Sequence, residues 1–190
     1  MSLIAGNLGA VQQLLDEAGW RWGVCSGAAA YVYGVRRPIA NIDILLPPGF
    51  LRQMRDLLAK KRFVAQYDGR VLLWRGIKLF DDLGLVGDQH RHPFVLDEEM
   101  GAHLRRLPLL GSRVLVLAPE DVVVQKALLA LYAEKDPTKS HRQDLQMLLR
   151  AQASALDREY LQRRMRLCLA EAPVNRLLEE LSGIASGAGG

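Results

Sequence analysis

Two polar side chains, Asn41 and Asp43, interrupt an otherwise apolar run that reads as a β-strand. Side chains on a strand alternate between its faces, so these two would share one face while the isoleucines beside them enter the core. A turn of small residues, Ser26-Gly27, precedes this strand in the chain. Paired oxygen ligands close to such a turn suit a hard divalent cation and a bound phosphate. The pattern therefore predicts a site for a metal ion and a phosphate.

The stretch from Ser26 to Leu46 resembles the opening motif of the nucleotidyltransferase superfamily, in particular its AbiEii-like or minimal nucleotidyltransferase branch. Two positions depart from the motif, because Ile39 stands where the family usually has Thr and Asn41 where it has the first Asp. In the family, that first carboxylate helps to hold the catalytic metals. The resemblance implies the family's fold with a metal site that lacks one charge. The spacing of the motif is kept at Ser26-Gly27, Ala29, Gly34, Arg37 and Asp43.

The resemblance also implies a third acid on a neighbouring strand, for which Asp81 and Asp82 are the candidates. On the strand predicted from Ile77, alternation places Asp82 on one face with Lys78 and places Asp81 on the other. The polar face would meet the ligand, so Asp82 is preferred, although a β-bulge would reverse the choice. Alternatively, both aspartates end the strand and begin a turn, which is a common use of Asp.

A second segment, residues 117–126, resembles the family's strand, turn and helix with a lysine inside an apolar helix. Lys126 lies there among apolar neighbours, where a cation needs either a carboxylate or a ligand phosphate. The expected partner is Asp144, in a segment that resembles the family's later basic-plus-Asp motif. Two interpretations stay open for this pair, a nucleotide contact or a tie between two helices. Two interpretations also stay open for Arg37, namely a contact with a bound anion or an exposed position without a ligand.

Together with the resemblance, these residues imply an enzyme that moves a nucleoside monophosphate from a nucleoside triphosphate to a hydroxyl group. The acceptor would be a small molecule, a protein or an RNA end. Such transfer uses two divalent cations, here Mg²⁺ or Mn²⁺, held by carboxylates. The predicted roles are catalysis for Asp43, Asp82 and Asp81, metal binding for Asn41, Asp43 and Asp82, and nucleotide binding for Ser26, Gly27, Arg37, Lys126 and Asp144.

A second hypothesis is a catalytically degenerate protein of the same fold that serves as a binding or regulatory module, for instance in a toxin–antitoxin pair. Asn41 is the residue that separates the two hypotheses. An amide oxygen can contact a cation, but it removes one negative charge from a site that would face two divalent ions. Losing a carboxylate ligand there would slow transfer on the order of a thousand-fold.

The composition sets the class of protein. The chain has 190 residues, of which 49% are hydrophobic and 24% charged, as is typical of a globular domain. A formal net charge of +4 permits an anionic ligand or nucleic acid without requiring one. The two cysteines, Cys25 and Cys168, form no disulfide or zinc pattern and fit a reducing compartment. Without a signal peptide or a membrane-length apolar run, we expect a cytoplasmic protein with no membrane partner.

The order of elements predicts an α/β fold followed by a helical C-terminal region, and the resemblance implies that its sheet is a nucleotidyltransferase-like mixed sheet flanked by helices. We place the first domain at 1–118, the helical region packed on it at 119–185 and a flexible tail at 186–190. Asp68-Gly69 predicts a hairpin between two short strands. The polar segment 84–92 is expected to be an exposed loop, and the helix near the N-terminus is expected to be capped by Asn7.

Two further groups of residues could be read as binding sites. His90 and His92 have no third ligand at a metal-site spacing and are predicted to be surface residues. An arginine run in the C-terminal helices would face solvent or an RNA, and it lacks the interleaved aromatic residues that stack on bases. That run comprises Arg158, Arg163, Arg164 and Arg166.

Overall fold

The computed structural model describes residues 3–87, 90–133 and 141–187 of the chain. Its elements, in chain order, are α1 (Leu3–Glu17), β1 (Gly23–Cys25), α2 (Ser26–Val32), β2 (Ile42–Leu45), α3 (Phe50–Lys60), β3 (Gln66–Tyr67), β4 (Leu72–Trp74), β5 (Ile77–Phe80), β6 (Leu85–Gly87), β7 (His90–His92), α4 (Glu98–Ala102), β8 (Arg105–Leu109), β9 (Ser112–Val116), α5 (Pro119–Tyr132), α6 (His141–Gln152), α7 (Arg158–Cys168) and α8 (Glu171–Gly187).

Seven of these strands form one mixed sheet in the order β3-β4-β5-β2-β1-β9-β8. β2 runs parallel to β5, and β1 runs parallel to β9, whereas the remaining neighbours are antiparallel. The central strands are apolar on the face that enters the core, where Ile42 and Ile44 are completely buried. The predicted fold class, a mixed sheet flanked by helices and followed by C-terminal helices, is confirmed.

The turn and helix-cap residues in the sequence predicted a hairpin and a helix that are both present, but the start of the helix differs from the prediction. The hairpin predicted at Asp68-Gly69 is present, because β3 and β4 pair antiparallel on either side of it. α1 begins at Leu3, so Asn7 lies inside the helix and its side-chain amide donates to the carbonyl of Arg75 (2.8 Å) instead of capping. Of the predicted tail, residues 188–190 lie outside the described part of the chain.

Two strand regions differ from the sequence prediction. Segment 84–92, expected to be a loop, contains the antiparallel hairpin of β6 and β7. His92 is half-buried there, and its ring stacks on Tyr132 with centroids 4.2 Å apart, so it is not the surface residue that we expected. β8 was not predicted, because its two arginines and Pro108 are unusual for a strand. It lies at the sheet edge, where a proline is tolerated.

Helix α5 is buried along most of its length and contacts α2, β6 and the C-terminal helices α6 and α7. Pro119 occupies its first turn, where the missing N–H costs nothing. Glu120 and Asp121 follow in the same turn and are completely buried. Buried charges of this kind need partners, and these come from later in the chain. Among the described residues, no helix has the length and apolar character that crossing a membrane requires.

Arg164 of α7 supplies the partner for Asp121. Its Nε donates to Asp121 at 3.1 Å and its guanidinium contacts Asp97 at 2.5 Å, while Tyr160 donates its hydroxyl to Asp121 at 2.8 Å. Asp97 also accepts from the amide of Met100 (2.8 Å) and so caps α4. The network therefore ties α4, α5 and α7 together. Arg164, which we expected at a surface facing solvent or RNA, is a buried structural residue with only 3% of its side chain exposed.

This network predicts a sharp difference between two neighbouring arginines. Arg164→Ala should lower the free energy of unfolding by about 3–5 kcal/mol, because it leaves Asp121 buried without its counter-charge. Arg163→Ala should cost less than about 1 kcal/mol, since the side chain of Arg163 is 55% exposed in its pair with Glu99. Urea unfolding followed by circular dichroism measures both. Equal losses for the two variants would contradict the structural role assigned to Arg164.

Candidate functional site

A cavity of about 480 Å³ lies against β2 and β5, and α2, α5 and α6 complete its wall. We call it the Asp43 cavity. It collects residues that are far apart in the sequence, from the Ser26-Gly27 turn to the start of α6. Seven of the residues predicted from the sequence line it, namely Ser26, Gly27, Arg37, Asn41, Asp43, Lys126 and Asp144.

Asn41 and Asp43 both line the cavity, whereas Ile42 and Ile44 are buried in the core, as strand alternation predicted. Asn41 is exposed just before β2, and Asp43 is half-buried within it, between two completely buried isoleucines. Among the described residues, the Oδ1 atom of Asp43 is buried without a hydrogen-bond partner. Burial raises the pKa of the Asp43 carboxyl above its ordinary value. The charge of Lys78, a hydrogen bond with Ser26 and the charge of Lys126 each lower that pKa. Asp43 therefore brings a carboxyl group to the cavity wall, with one oxygen unpaired among the described residues.

The Ser26 turn is held by a residue that the sequence analysis did not single out. Gln125 of α5 accepts from the backbone amide of Ser26 (2.8 Å) and donates its side-chain amide to the Ser26 Oγ (2.9 Å). This clamp fixes Ser26 in the left-handed region, at φ 55°. Gln125 is 3% exposed in a helix of mainly apolar residues. A buried polar residue beside Lys126 is the signal that could have identified it.

Cys25, directly before this turn, is buried as expected and donates its thiol to the carbonyl of Asp43 (3.3 Å). Burial raises the pKa of the Cys25 thiol well above its ordinary value, so the thiolate form of a nucleophile is disfavoured. Its role is to join β1 to β2 behind the cavity.

Asp144 joins two cations in the cavity wall. Its Oδ2 accepts from the ammonium of Lys126 at 2.8 Å, and its Oδ1 lies 3.0 Å from the Nε of Arg37. Arg37 also donates to the side-chain oxygen of Gln143 at 2.9 Å. The partnership between Lys126 and Asp144 expected from the sequence is formed, and Arg37 is added to it. All three residues lie where a bound anion could reach them.

Neither candidate for the third acid is among the residues that line the Asp43 cavity. β5 ends at Phe80, so both aspartates fall in the turn that follows it. Asp81 accepts from the amides of Gly49 (3.0 Å) and Leu51 (3.3 Å) at the start of α3. Asp82 accepts from the amide of Gly84 and forms an ion pair with Arg91. These are the turn positions that the sequence left open as the alternative.

The β5 residue that faces the cavity is Lys78. The parallel register of β2 and β5 places Lys78 directly beside Asp43, and both line the cavity. Strand alternation puts Lys78 on the predicted ligand face with Asp82, although Lys78 is not among the site residues predicted from the sequence. Alternation alone indicated its face, whereas its position beside Asp43 depends on strand register.

These residues do not fit a centre with two divalent cations. The cavity lining contains two carboxylates, Asp43 and Asp144, and Asp144 is already engaged by two cations. Within the described ranges, no three His, Cys, Asp or Glu side chains are grouped closely enough to hold a metal ion. Three cations, Arg37, Lys78 and Lys126, face those two carboxylates. The lining therefore favours an anion over a pair of metal ions.

Comparison with solved structures identifies the fold as that of the nucleotidyltransferases. The crystal structure of ANT(2")-Ia in complex with adenylyl-2"-tobramycin is similar with a TM-score of 0.56 and 14% identity, over 93% of this chain and 99% of that chain. The solution structure of the antibiotic-resistance factor ANT(2'')-Ia is similar with a TM-score of 0.55 and 12% identity, over 85% of this chain and 89% of that chain. No protein-family model and no curated protein match the sequence.

The buried pair in the cavity wall gives a second prediction. Asp144→Leu should lower the free energy of unfolding by about 3–5 kcal/mol, because Lys126, with 4% of its side chain exposed, would lose its carboxylate. The double variant Lys126→Met with Asp144→Leu should recover a large part of that loss, since neither charge remains to be buried. Chemical unfolding of the two single variants and the double variant gives the coupling free energy.

The matched control is Asp56→Ala, which removes the acid from the exposed pair of Arg55 and Asp56 and should cost less than about 1 kcal/mol. If the double variant loses the full sum of the single variants, then Lys126 and Asp144 do not stabilise each other.

Proposed function

We propose that this chain binds a nucleoside triphosphate in the Asp43 cavity, through the phosphates, as a catalytically degenerate protein of the nucleotidyltransferase fold. It would act as a binding or regulatory module, not as a two-metal transferase. The observation that carries the proposal is the charge of the lining, where Arg37, Lys78 and Lys126 face a single carboxylate that has no cation bound to it, Asp43.

Phosphate binding is supported by the arrangement of the three cations. An arginine guanidinium matches phosphate oxygens with paired N–H groups, and lysine ammonium groups bind them as point charges. Arg37 is half-buried at the cavity wall, where its partners are side chains that a phosphate can replace. Lys126 is anchored at its base in α5. The cavity thus offers a preorganised positive wall whose groups need little rearrangement on binding.

Two-metal catalysis is disfavoured by two residues. Asn41 contributes a neutral amide where the resembled motif has a carboxylate, and Lys78 puts a positive charge beside the remaining acid. Two divalent ions bound to a polyphosphate need anionic ligands, because each ligand must compete with water for a hard cation. The magnesium or manganese centre that the resemblance implied is therefore not part of this proposal.

The ligand of the structural neighbour is not a ligand that we propose for this chain. That neighbour was solved with adenylyl-2"-tobramycin, the adenylylated form of an aminoglycoside. Aminoglycosides carry several ammonium groups, which require acidic partners on the protein. The Asp43 cavity has more cations than carboxylates, so its charge disfavours such an acceptor. The identities of 12–14% support the fold and leave the ligand to be argued from the site.

A second candidate function is an active nucleotidyltransferase. The observation that favours it is the buried Oδ1 of Asp43, a residue of the cavity lining, which has no hydrogen-bond partner in the described part of the chain. Such an oxygen could hold one divalent ion together with Asn41, with transfer to an RNA or protein acceptor. The AbiEii-like branch, the toxin–antitoxin setting and the cytoplasmic location remain predictions from the sequence.

Label transfer separates the two candidates. Incubation of the full chain with α-labelled ATP, Mn²⁺ and candidate RNA or protein acceptors should produce no labelled acceptor, because the lining lacks the acids that two metals need. Transfer that is abolished by Asp43→Ala and increased by Asn41→Asp would overturn the degenerate assignment and establish the enzyme instead.

Nucleotide binding tests the proposal directly. Arg37→Gln should weaken ATP binding by about tenfold to a hundredfold, as expected for the loss of a charge-assisted hydrogen bond to phosphate. Arg36→Gln is the matched control, because Arg36 precedes Arg37, is exposed and lies over the ring of Tyr31 instead of the cavity. Isothermal titration calorimetry of the full chain compares the three proteins. Equal ATP affinities for both variants would place the nucleotide elsewhere.

A further inference from the structure

Lys78 lies beside Asp43, the acid of the cavity lining that carries no ion pair within the described ranges. The two residues are Cα partners in the parallel pairing of β2 and β5, and neighbouring strands lie about 4.8 Å apart. Both side chains line the Asp43 cavity. Burial raises the pKa of the Asp43 carboxyl, and the nearby charge of Lys78 lowers it. A positive charge is thus built into the chain next to the cavity's available acid.

The ammonium of Lys78 is available to a ligand, unlike those of its neighbours. Lys126 and Arg37 both pair with Asp144. Lys78 makes no salt bridge within the described ranges, and its side chain is half-buried at the cavity wall. Its charge acts on Asp43, its partner on β2, without an ion pair between the two side chains. In a partly buried site, where screening by solvent is reduced, such a charge repels a cation and attracts an anion.

We propose that Lys78 takes the place of a divalent metal in this cavity, so that the chain binds the phosphates of a nucleoside triphosphate in their metal-free form. The inference rests on the proposed function and specifies the ionic form of its ligand. Lys78 neutralises phosphate charge from the protein side. Mg²⁺ then acts as a competitor, because it removes charge from the phosphates and meets the ammonium of Lys78 when the complex enters the cavity.

The first experiment compares ATP binding with and without the metal. Calorimetric titration of the full chain with ATP is done in excess EDTA and in excess MgCl₂, at matched ionic strength. We expect tighter binding in EDTA by about tenfold or more. Binding that requires Mg²⁺ would overturn this inference and leave the proposed nucleotide site in place. Absence of binding in both conditions would overturn the proposed function and, with it, this inference.

The second experiment removes the charge of Lys78. Lys78→Met keeps an unbranched side chain of similar length and should weaken ATP and inorganic tripolyphosphate binding in EDTA by about tenfold or more. Lys78→Arg keeps the charge and should retain most of the affinity. Lys60→Met is the matched control, because Lys60 is exposed on α3 and is not among the residues lining the cavity. If Lys78→Met binds as tightly as Lys60→Met, the inference is wrong.

The third experiment tests whether the cavity can be converted to a metal site. The double variant Asn41→Asp with Lys78→Asp adds two carboxylates beside Asp43 and removes the competing ammonium. We expect this variant to bind Mn²⁺ alone, measured by electron paramagnetic resonance, and to bind ATP more tightly with Mg²⁺ than in EDTA. The unmodified chain should leave Mn²⁺ in solution at the same concentration. Equal Mn²⁺ binding by the unmodified chain would overturn the inference.

Discussion

The burial of α5 is the constraint on which the rest of the structure depends. Because this helix is enclosed by α2, β6 and the C-terminal helices α6 and α7, each buried polar side chain on it needs a partner from another element. Asp121 finds Arg164 and Tyr160 on α7, Gln125 finds Ser26 at the start of α2, and Lys126 finds Asp144 on α6. One helix thereby positions both the C-terminal helices and the wall of the cavity.

The charges that result decide the chemistry of the site. Asp144 satisfies two cations at once, which keeps Arg37 and Lys126 in place before any ligand arrives. The strand register adds Lys78 as a further cation beside Asp43. A fold shared with ANT(2")-Ia is thus combined with a lining that suits phosphate and opposes a pair of divalent ions. Fold and chemistry are separate properties here, as they are in many protein superfamilies.

Much of the fold, and seven of the residues that line the Asp43 cavity, were predicted from the sequence. Period-two alternation placed Asn41 and Asp43 on the cavity side of a strand, because adjacent residues on a strand must face opposite ways. Pro119 and the apolar run after it located α5 correctly, since a proline is favoured in the first turn of a helix. The lysine within that apolar run predicted a partner of opposite charge. Asp144 was the predicted partner, and the structure pairs it with Lys126. The first two inferences need only neighbouring residues, whereas Asp144 was chosen because its segment resembles a later motif of the family.

Only the tertiary structure decided which distant charges meet. The end of β5 at Phe80 sends Asp81 and Asp82 into a turn, and the register with β2 brings Lys78 to Asp43 instead. A register is set by packing across strands that are far apart in sequence, so no local periodicity encodes it. Arg164 reads as a surface residue in its own helix and is buried because α4 and α5 both present acids to it. Local patterns determine which face a side chain takes, whereas partner choice follows from the assembled core.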